Sequence, residues 1–142
     1  MVYNWARFPL NELFLSCGVP HLHDDDLIRF GRRGIFGLSP LRRACYAYIG
    51  KCHQFIEMSQ SPQAERLIAF EYEDMIMETQ DVLADLCGRL GIGMPAHSTF
   101  DQLKSDTLTK SSDLTTAART VIHKLCAGVY RDCTELSFKI LR

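Results

Sequence analysis

The sequence predicts a mostly α-helical chain with one or two strands, and three observations predict it. Apolar residues recur at intervals of three and four through three long stretches, 41–56, 82–90 and 114–136. A short apolar-rich run from Leu67 to Tyr72 breaks that rhythm. It is too short for a free-standing helix and has no strict alternation, so it reads as a buried strand of the parallel type. The chain has 142 residues, of which 46% are hydrophobic and 23% charged, which suits one domain and excludes a disordered composition.

The elements follow in chain order within a single domain, 1–142. Residues 1–38 read as an irregular segment, because Gly31, Gly34 and Gly37 punctuate the chain around Phe30-Gly31-Arg32-Arg33. Ser39-Pro40 then opens a helix over 39–58, with serine as cap and proline in the first turn. Its inward positions are Leu41, Ala44, Cys45, Tyr48, Ile49, Cys52, Phe55 and Ile56. Ser59 to Gln63 forms a loop, and the strand spans 66–72. A helix over 79–90 is capped by Thr79 and stopped by Gly91, with Val82, Leu83, Leu86, Cys87 and Leu90 inward. Residues 105–113, rich in Ser, Thr, Asp and Lys, form a surface loop. Asp113 caps a last helix over 113–138, whose inward positions include Leu114, Ala118, Val121, Ile122, Leu125, Val129, Cys133 and Leu136. A single strand cannot satisfy its own backbone donors and acceptors. The remaining sheet must come from residues absent from this chain or from a partner.

Charge and cysteines bound the function. A net charge of −1 gives no global attraction to nucleic acid. No apolar run approaches the roughly 18 residues of a membrane span, and Met1 to Arg7 carries no basic leader before an apolar core. A cytoplasmic setting is expected, or a Golgi-lumenal one if an anchor lies upstream. Six cysteines raise the prospect of a disulfide frame, but Cys45 with Cys52 and Cys126 with Cys133 each lie seven apart in a helical pattern. At about 1.5 Å per residue those partners are about 10 Å apart along one helix and cannot bridge within it. Buried thiols are expected instead.

The chemistry-bearing residues centre on the end of the strand. Phe70-Glu71-Tyr72-Glu73-Asp74-Met75 ends the apolar run in polar side chains and leads into the helix at Thr79. Polar groups at the carboxyl end of a parallel strand sit where open α/β sheets bind ligands. This stretch resembles the "YEDL" strand-to-helix segment of sulfotransferases, and His97-Ser98-Thr99-Phe100-Asp101-Gln102-Leu103-Lys104 resembles the "H-T-S-F-x-x-M-K" segment of their cytosolic-type members. The resemblance covers roughly the C-terminal half of the family domain. It implies an ancestral α/β fold, a P-loop-NTPase-like parallel sheet flanked by helices. It also implies transfer of a sulfuryl group from 3′-phosphoadenosine 5′-phosphosulfate, as co-substrate, to a hydroxyl or amine.

By the same resemblance Tyr72 lies beside the adenine ring, with Ser98 and Phe100 lining that pocket, while Arg7 and Ser16 match the arginine and serine that hold the 3′-phosphate. Ser16 stands nine residues after Arg7, where the family spacing is eight. A tyrosine that merely closes the sheet core is the plain alternative for Tyr72. The family's 5′-phosphosulfate loop, "P-K-[ST]-G-T-[TS]", has no counterpart here, nor has its late "R-K-G-x-x-G-D-W-K" loop, and no residue can be assigned as catalytic base. The expectation is a fragment inactive by itself, completed by an N-terminal segment or a second copy, with its acceptor unidentified. A non-catalytic helical interaction module or regulatory remnant is the alternative.

Three further features carry plainer readings. Glu73 and Asp74 are structural, since adjacent carboxylates on a strand point to opposite faces. His21-Leu22-His23-Asp24-Asp25-Asp26 has metal-ligand types, but consecutive aspartates read as a solvated loop or as the start of a helix from Leu27, so no metal is expected. Arg29, Arg32 and Arg33, set among glycines, are of a type that meets phosphate but read more plainly as a surface loop.

Overall fold

A computed structural model describes residues 9–62, 64–66, 68–69, 75–76, 78–94 and 114–140. The chain is mostly helical, with no strand among the described residues. Helix α1 (Leu10–Leu13) runs into a π-helical turn (Phe14–Gly18) and a 3-10 turn (Val19–His21). Then come α2 (Asp24–Arg33), a 3-10 turn (Gly34–Gly37), α3 (Pro40–Ser59), a 3-10 turn (Ala64–Arg66), α4 (Thr79–Leu90) and α5 (Thr116–Ile140).

The irregular reading of residues 1–38 is corrected over its described part, 9–38. From Leu10 to Gly37 the chain is almost continuously helical, where irregular backbone was expected. Charge explains α2: Asp24, Asp25 and Asp26 occupy its first turn and Arg32 and Arg33 its last, each complementing the helix dipole. Those terms offset the cost of about 1 kcal/mol for Gly31 inside the helix. Gly34, at φ 56°, ends it.

The expected strand is corrected at Arg66, Ile68 and Ala69. Arg66 ends a 3-10 turn, and Ile68 and Ala69 have no regular structure. Leu67 and residues 70–72 lie outside the described residues. The helix starts also shift. Ser39 does cap α3, accepting from the Arg42 N–H at 3.3 Å. Thr79 does not cap α4 but is its first residue, and its hydroxyl donates back to the Met75 carbonyl at 2.6 Å. Thr115 accepts from the Ala118 N–H at 3.2 Å at the start of α5, while Asp113 lies outside the described residues. Gly91 ends α4 at φ 65°, and the Ile92 N–H reaches the Cys87 carbonyl at 3.0 Å. Leu90, expected inward, is exposed.

The core is built around α3. Of its expected stripe, Ala44, Cys45, Ile49 and Cys52 are buried and Leu41, Tyr48, Phe55 and Ile56 half-buried, and a second face made by Tyr46, Ala47 and Gly50 is buried too. The π-helical turn covers that second face: Phe14 is fully buried there and meets Phe30 of α2 edge-on, ring centroids 5.7 Å apart. The approach is close enough to exclude side chains. A Cβ on Gly50 would overlap the Cys17 carbonyl, and one on Gly18 would lie 2.9 Å from the Ala47 nitrogen. Helix α5 covers the first face. Cys126 Sγ lies 3.9 Å from the Cys45 carbonyl and Cys133 Sγ 3.7 Å from the Cys52 carbonyl. Both contacts advance by seven residues together, so α3 and α5 run parallel. Cys126, Val129 and Cys133 follow the alternating three-four spacing of a coiled-coil seam.

Two glycines test this packing. Gly50→Ala gains up to about 1 kcal/mol of helix propensity but forces a methyl group into backbone, a net cost of about 1–3 kcal/mol. Gly128→Ala, in open space on α5, meets nothing and should stabilise by about 0.5–1 kcal/mol. Urea denaturation of the two variants should move in opposite directions, and equal shifts would refute the close approach.

Candidate functional site

Few of the residues expected to bind nucleotide are described. Tyr72, Ser98, Phe100 and Arg7 lie outside the described residues. Ser16 sits in the π-helical turn with an exposed side chain, and its hydroxyl donates to the Leu13 carbonyl at 3.0 Å. It is therefore occupied by its own turn rather than held in a cleft.

The polar constellation that is described lies where α2 meets α3. Asp26 is the one charged residue that is buried among the described residues, at 3% exposure. The helical phase of α2 turns it inward from the first turn, while Asp24 and Asp25 remain in solvent. Arg42 Nη1 donates to Asp26 Oδ2, and Tyr46 Oη donates to the same oxygen at 2.9 Å. Asp26 Oδ1 has no hydrogen-bond partner and faces the Arg29 guanidinium at 4.0 Å. Arg43 leaves this cluster and donates instead to the Ile35 carbonyl at 2.7 Å, tying the 3-10 turn before α3. The reading of Asp24–Asp26 as a solvated run is thus corrected at its third member. The pairing spans sixteen residues and has no local signature, so nothing in the sequence marked Arg42 and Tyr46 as its partners.

Burial, then the hydrogen bond to Asp26 and its negative charge, push the Tyr46 hydroxyl up to about 12. Tyr46 accordingly stays protonated at physiological pH and acts as a donor, not as a base. With Arg42 and Tyr46 both on one carboxylate oxygen, the cluster locks α2 onto α3 and offers no poised nucleophile.

Beside it stands a histidine pair. His21 and His53 stack face to face, centroids 4.4 Å apart and planes within 4°. His23 is exposed and its ring lies 6.0 Å from that of Tyr46. Burial lowers the His21 pKa below the usual histidine value, and the nearby His53 and His23 lower it further, against the opposing pull of Glu57. His53 showed no partner in sequence, because its partner lies on a different element. Among the described residues no group of three or more His, Cys, Asp or Glu is arranged to hold a metal ion. Arg29, Arg32 and Arg33 lie on helix α2, not on a loop, and all three are exposed.

Comparison with known proteins adds no relative: no family model, no curated protein and no solved structure matches the chain. No described helix is long and apolar enough to cross a membrane.

Two measurements test this cluster. Asp26→Ala leaves Arg42 and Tyr46 without their acceptor and should cost about 2–4 kcal/mol, reduced from the fully buried case because Arg42 reaches solvent. Tyr46→Phe removes one hydrogen bond and should cost about 1 kcal/mol. A double-mutant cycle in urea should show coupling between them, and strict additivity would contradict the shared oxygen.

For His21 the folded-state pKa lies below the unfolded one, so the unfolded chain binds the extra proton. Stability is then complete above about pH 6.5 and declines as the pH falls below it. His21→Phe, which keeps a flat ring against His53, should flatten that decline. An unchanged pH profile in the variant would refute the stacked pair as its source.

Proposed function

We propose that the chain is a sulfotransferase-type segment, derived from a P-loop-NTPase-like α/β fold, that contributes the adenine side of a 3′-phosphoadenosine 5′-phosphosulfate site and needs further sequence for activity. The observation that carries this reading is the passage from Phe70-Glu71-Tyr72-Glu73-Asp74-Met75 into α4. Long helix α3 precedes that motif and α4 follows it, with the Thr79 hydroxyl donating to the Met75 carbonyl.

In this reading Tyr72 offers a flat aromatic face to adenine, worth about 1 kcal/mol beyond the area buried. Ser98 and Phe100 complete the base pocket, and Arg7 and Ser16 meet the 3′-phosphate. Ser16 would have to exchange its Leu13 bond for that role. The phosphosulfate loop that would cradle the transferring group is absent from the sequence, so the chain alone should bind weakly and turn over nothing. The acceptor would be a hydroxyl or amine.

An all-helical core favours a second reading, a helical interaction module with no nucleotide site. The close packing of α3 between the π-helical turn and α5 needs no sheet to complete it.

Titration with adenosine 3′,5′-bisphosphate, followed by amide NMR, separates the two. The nucleotide reading expects affinity weaker than about 1 mM, after loss of several charge-assisted bonds of about 1.5–3 kcal/mol each. Shifts should cluster at Tyr72 and Phe100 and vanish in Tyr72→Ala. Shifts scattered over basic surface, or unchanged in Tyr72→Ala, would discard the adenine pocket and leave the helical module. Turnover of the sulfuryl donor by residues 1–142 would refute the claim that the chain is inactive alone.

A further inference from the structure

The seam between α3 and α5 holds four sulfurs that the nucleotide reading does not use. Cys45 and Cys52 lie one heptad apart on α3, and Cys126 and Cys133 one heptad apart on α5. Parallel packing sets them opposite one another in register. Within each rung the α5 sulfur lies against its α3 partner residue, Cys126 Sγ 3.9 Å from the Cys45 carbonyl and Cys133 Sγ 3.7 Å from the Cys52 carbonyl. All six cysteines of the chain are thiols in this structure, and no other two of them share such a contact among the described interactions.

We propose that these two rungs are oxidation sites, at which a hydroperoxide-class oxidant closes Cys52–Cys133 and then Cys45–Cys126 into disulfides that clamp α5 to α3.

Several observations support this chemistry over its rivals. Facing thiols in contact between packed helices need only side-chain rotation to reach disulfide geometry. The rungs are about 10 Å apart along the axis, so the four sulfurs cannot converge on one tetrahedral metal ion. Access sets the order. Cys133 is partly exposed, whereas Cys45 is 1% exposed and Cys126 lies deeper in the core cluster.

Proton placement sets the roles. Burial, then the bond to Cys52, pushes the Cys133 thiol up to about 12, so it holds its proton and takes the resolving role. In the inner rung the bond from Cys126 holds Cys45 below the usual thiol range, with Arg42 adding to the effect. Cys126 is pushed up by that same bond.

The outer rung reacts in two steps. The Cys52 sulfur attacks one peroxide oxygen as it gives up its proton, and the O–O bond breaks. Hydroxide leaves, gains the proton Cys52 released and becomes water, and Cys52 becomes a sulfenic acid. The Cys133 sulfur then attacks that sulfur as it gives up its proton, and the S–O bond breaks to release a second water. Two sulfurs lose two electrons and the peroxide gains two. The inner rung repeats the sequence with Cys45 attacking.

The test uses the folded full chain and hydrogen peroxide. Aliquots are quenched with catalase, alkylated under denaturing conditions and digested without reductant. The expected products are linked peptides joining Cys52 to Cys133 first and Cys45 to Cys126 second, with Cys17 and Cys87 fully alkylated. The intact mass falls by about 2 Da per rung as two hydrogens are lost. Because each closed loop is long, the melting midpoint should rise by roughly 5–15 °C. Cys52→Ser should abolish linkage at Cys133 while Cys45–Cys126 still forms. Linkage of Cys133 to any other cysteine, oxygen addition without linkage, or linkage only after unfolding would overturn the proposal. Nucleotide binding plays no part in this readout, so its failure and that of the sulfotransferase reading are separable.

Discussion

Helix α3 must bury two faces, and the rest of the described structure follows from that constraint. One face carries the regular stripe of Leu41, Cys45, Ile49 and Cys52, and α5 covers it. The other carries Tyr46, Ala47 and Gly50, and the π-helical turn covers it at a distance only glycine permits. A helix buried on both sides gains little from intrinsic propensity and much from its neighbours. That explains why the short segments before it are helical at all. Four-residue α1 and the turns after it would not persist in water alone. They are held by Phe14 and Cys17 pressed against α3.

The charge placed at this junction serves the same end. Asp26 is lost to solvent but is not isolated, since Arg42 supplies the countercharge and Tyr46 a second donor to the same oxygen. A buried pair of this kind adds little net stability compared with a well-packed apolar substitute. Its effect is selective: a shift of α2 along α3 by one turn would leave the carboxylate buried and unpaired. Register, rather than affinity between the helices, is what the pair supplies. The stacked His21 and His53 rings reinforce the same alignment from the 3-10 turn before α2.

How much of this was legible in the sequence depended on whether the cause was local. Helices α3, α4 and α5 announce themselves because apolar spacing, Ser39-Pro40 and Gly91 are local signals that the packed structure reuses. The region from Leu10 to Gly37 was misread because α2 exposes Leu27 and Ile28 and contains Gly31, so its stripe is weak. Its helix rests on end charges and on contacts made by Phe30, which appear only once Phe14 is in place. Tyr46 lies off the main stripe of α3 and would pass for a surface tyrosine until the π-helical turn is known. Of the residues assigned by family resemblance, only Ser16 lies within the described part, and there it bonds to its own turn. The functional reading rests on the sequence pattern around Tyr72, which lies outside the described residues.

The parallel course of α3 and α5 carries a consequence for how the chain acquires its shape. Each sulfur rung joins positions 81 residues apart. Closing such a contact demands a large loss of chain entropy before any packing rewards it, so the seam belongs to the late stages of folding. During synthesis at about 5–20 residues per second, α3 emerges roughly 4–16 seconds before the residues that cover its stripe. Throughout that interval Cys45, Ile49 and Cys52 face the solvent or whatever else is near. The nascent chain thus passes through a window in which its most apolar helix is half clothed, and chaperone capture or thiol modification would find it there. The mature protein, with its seam closed, would carry no sign of that exposure.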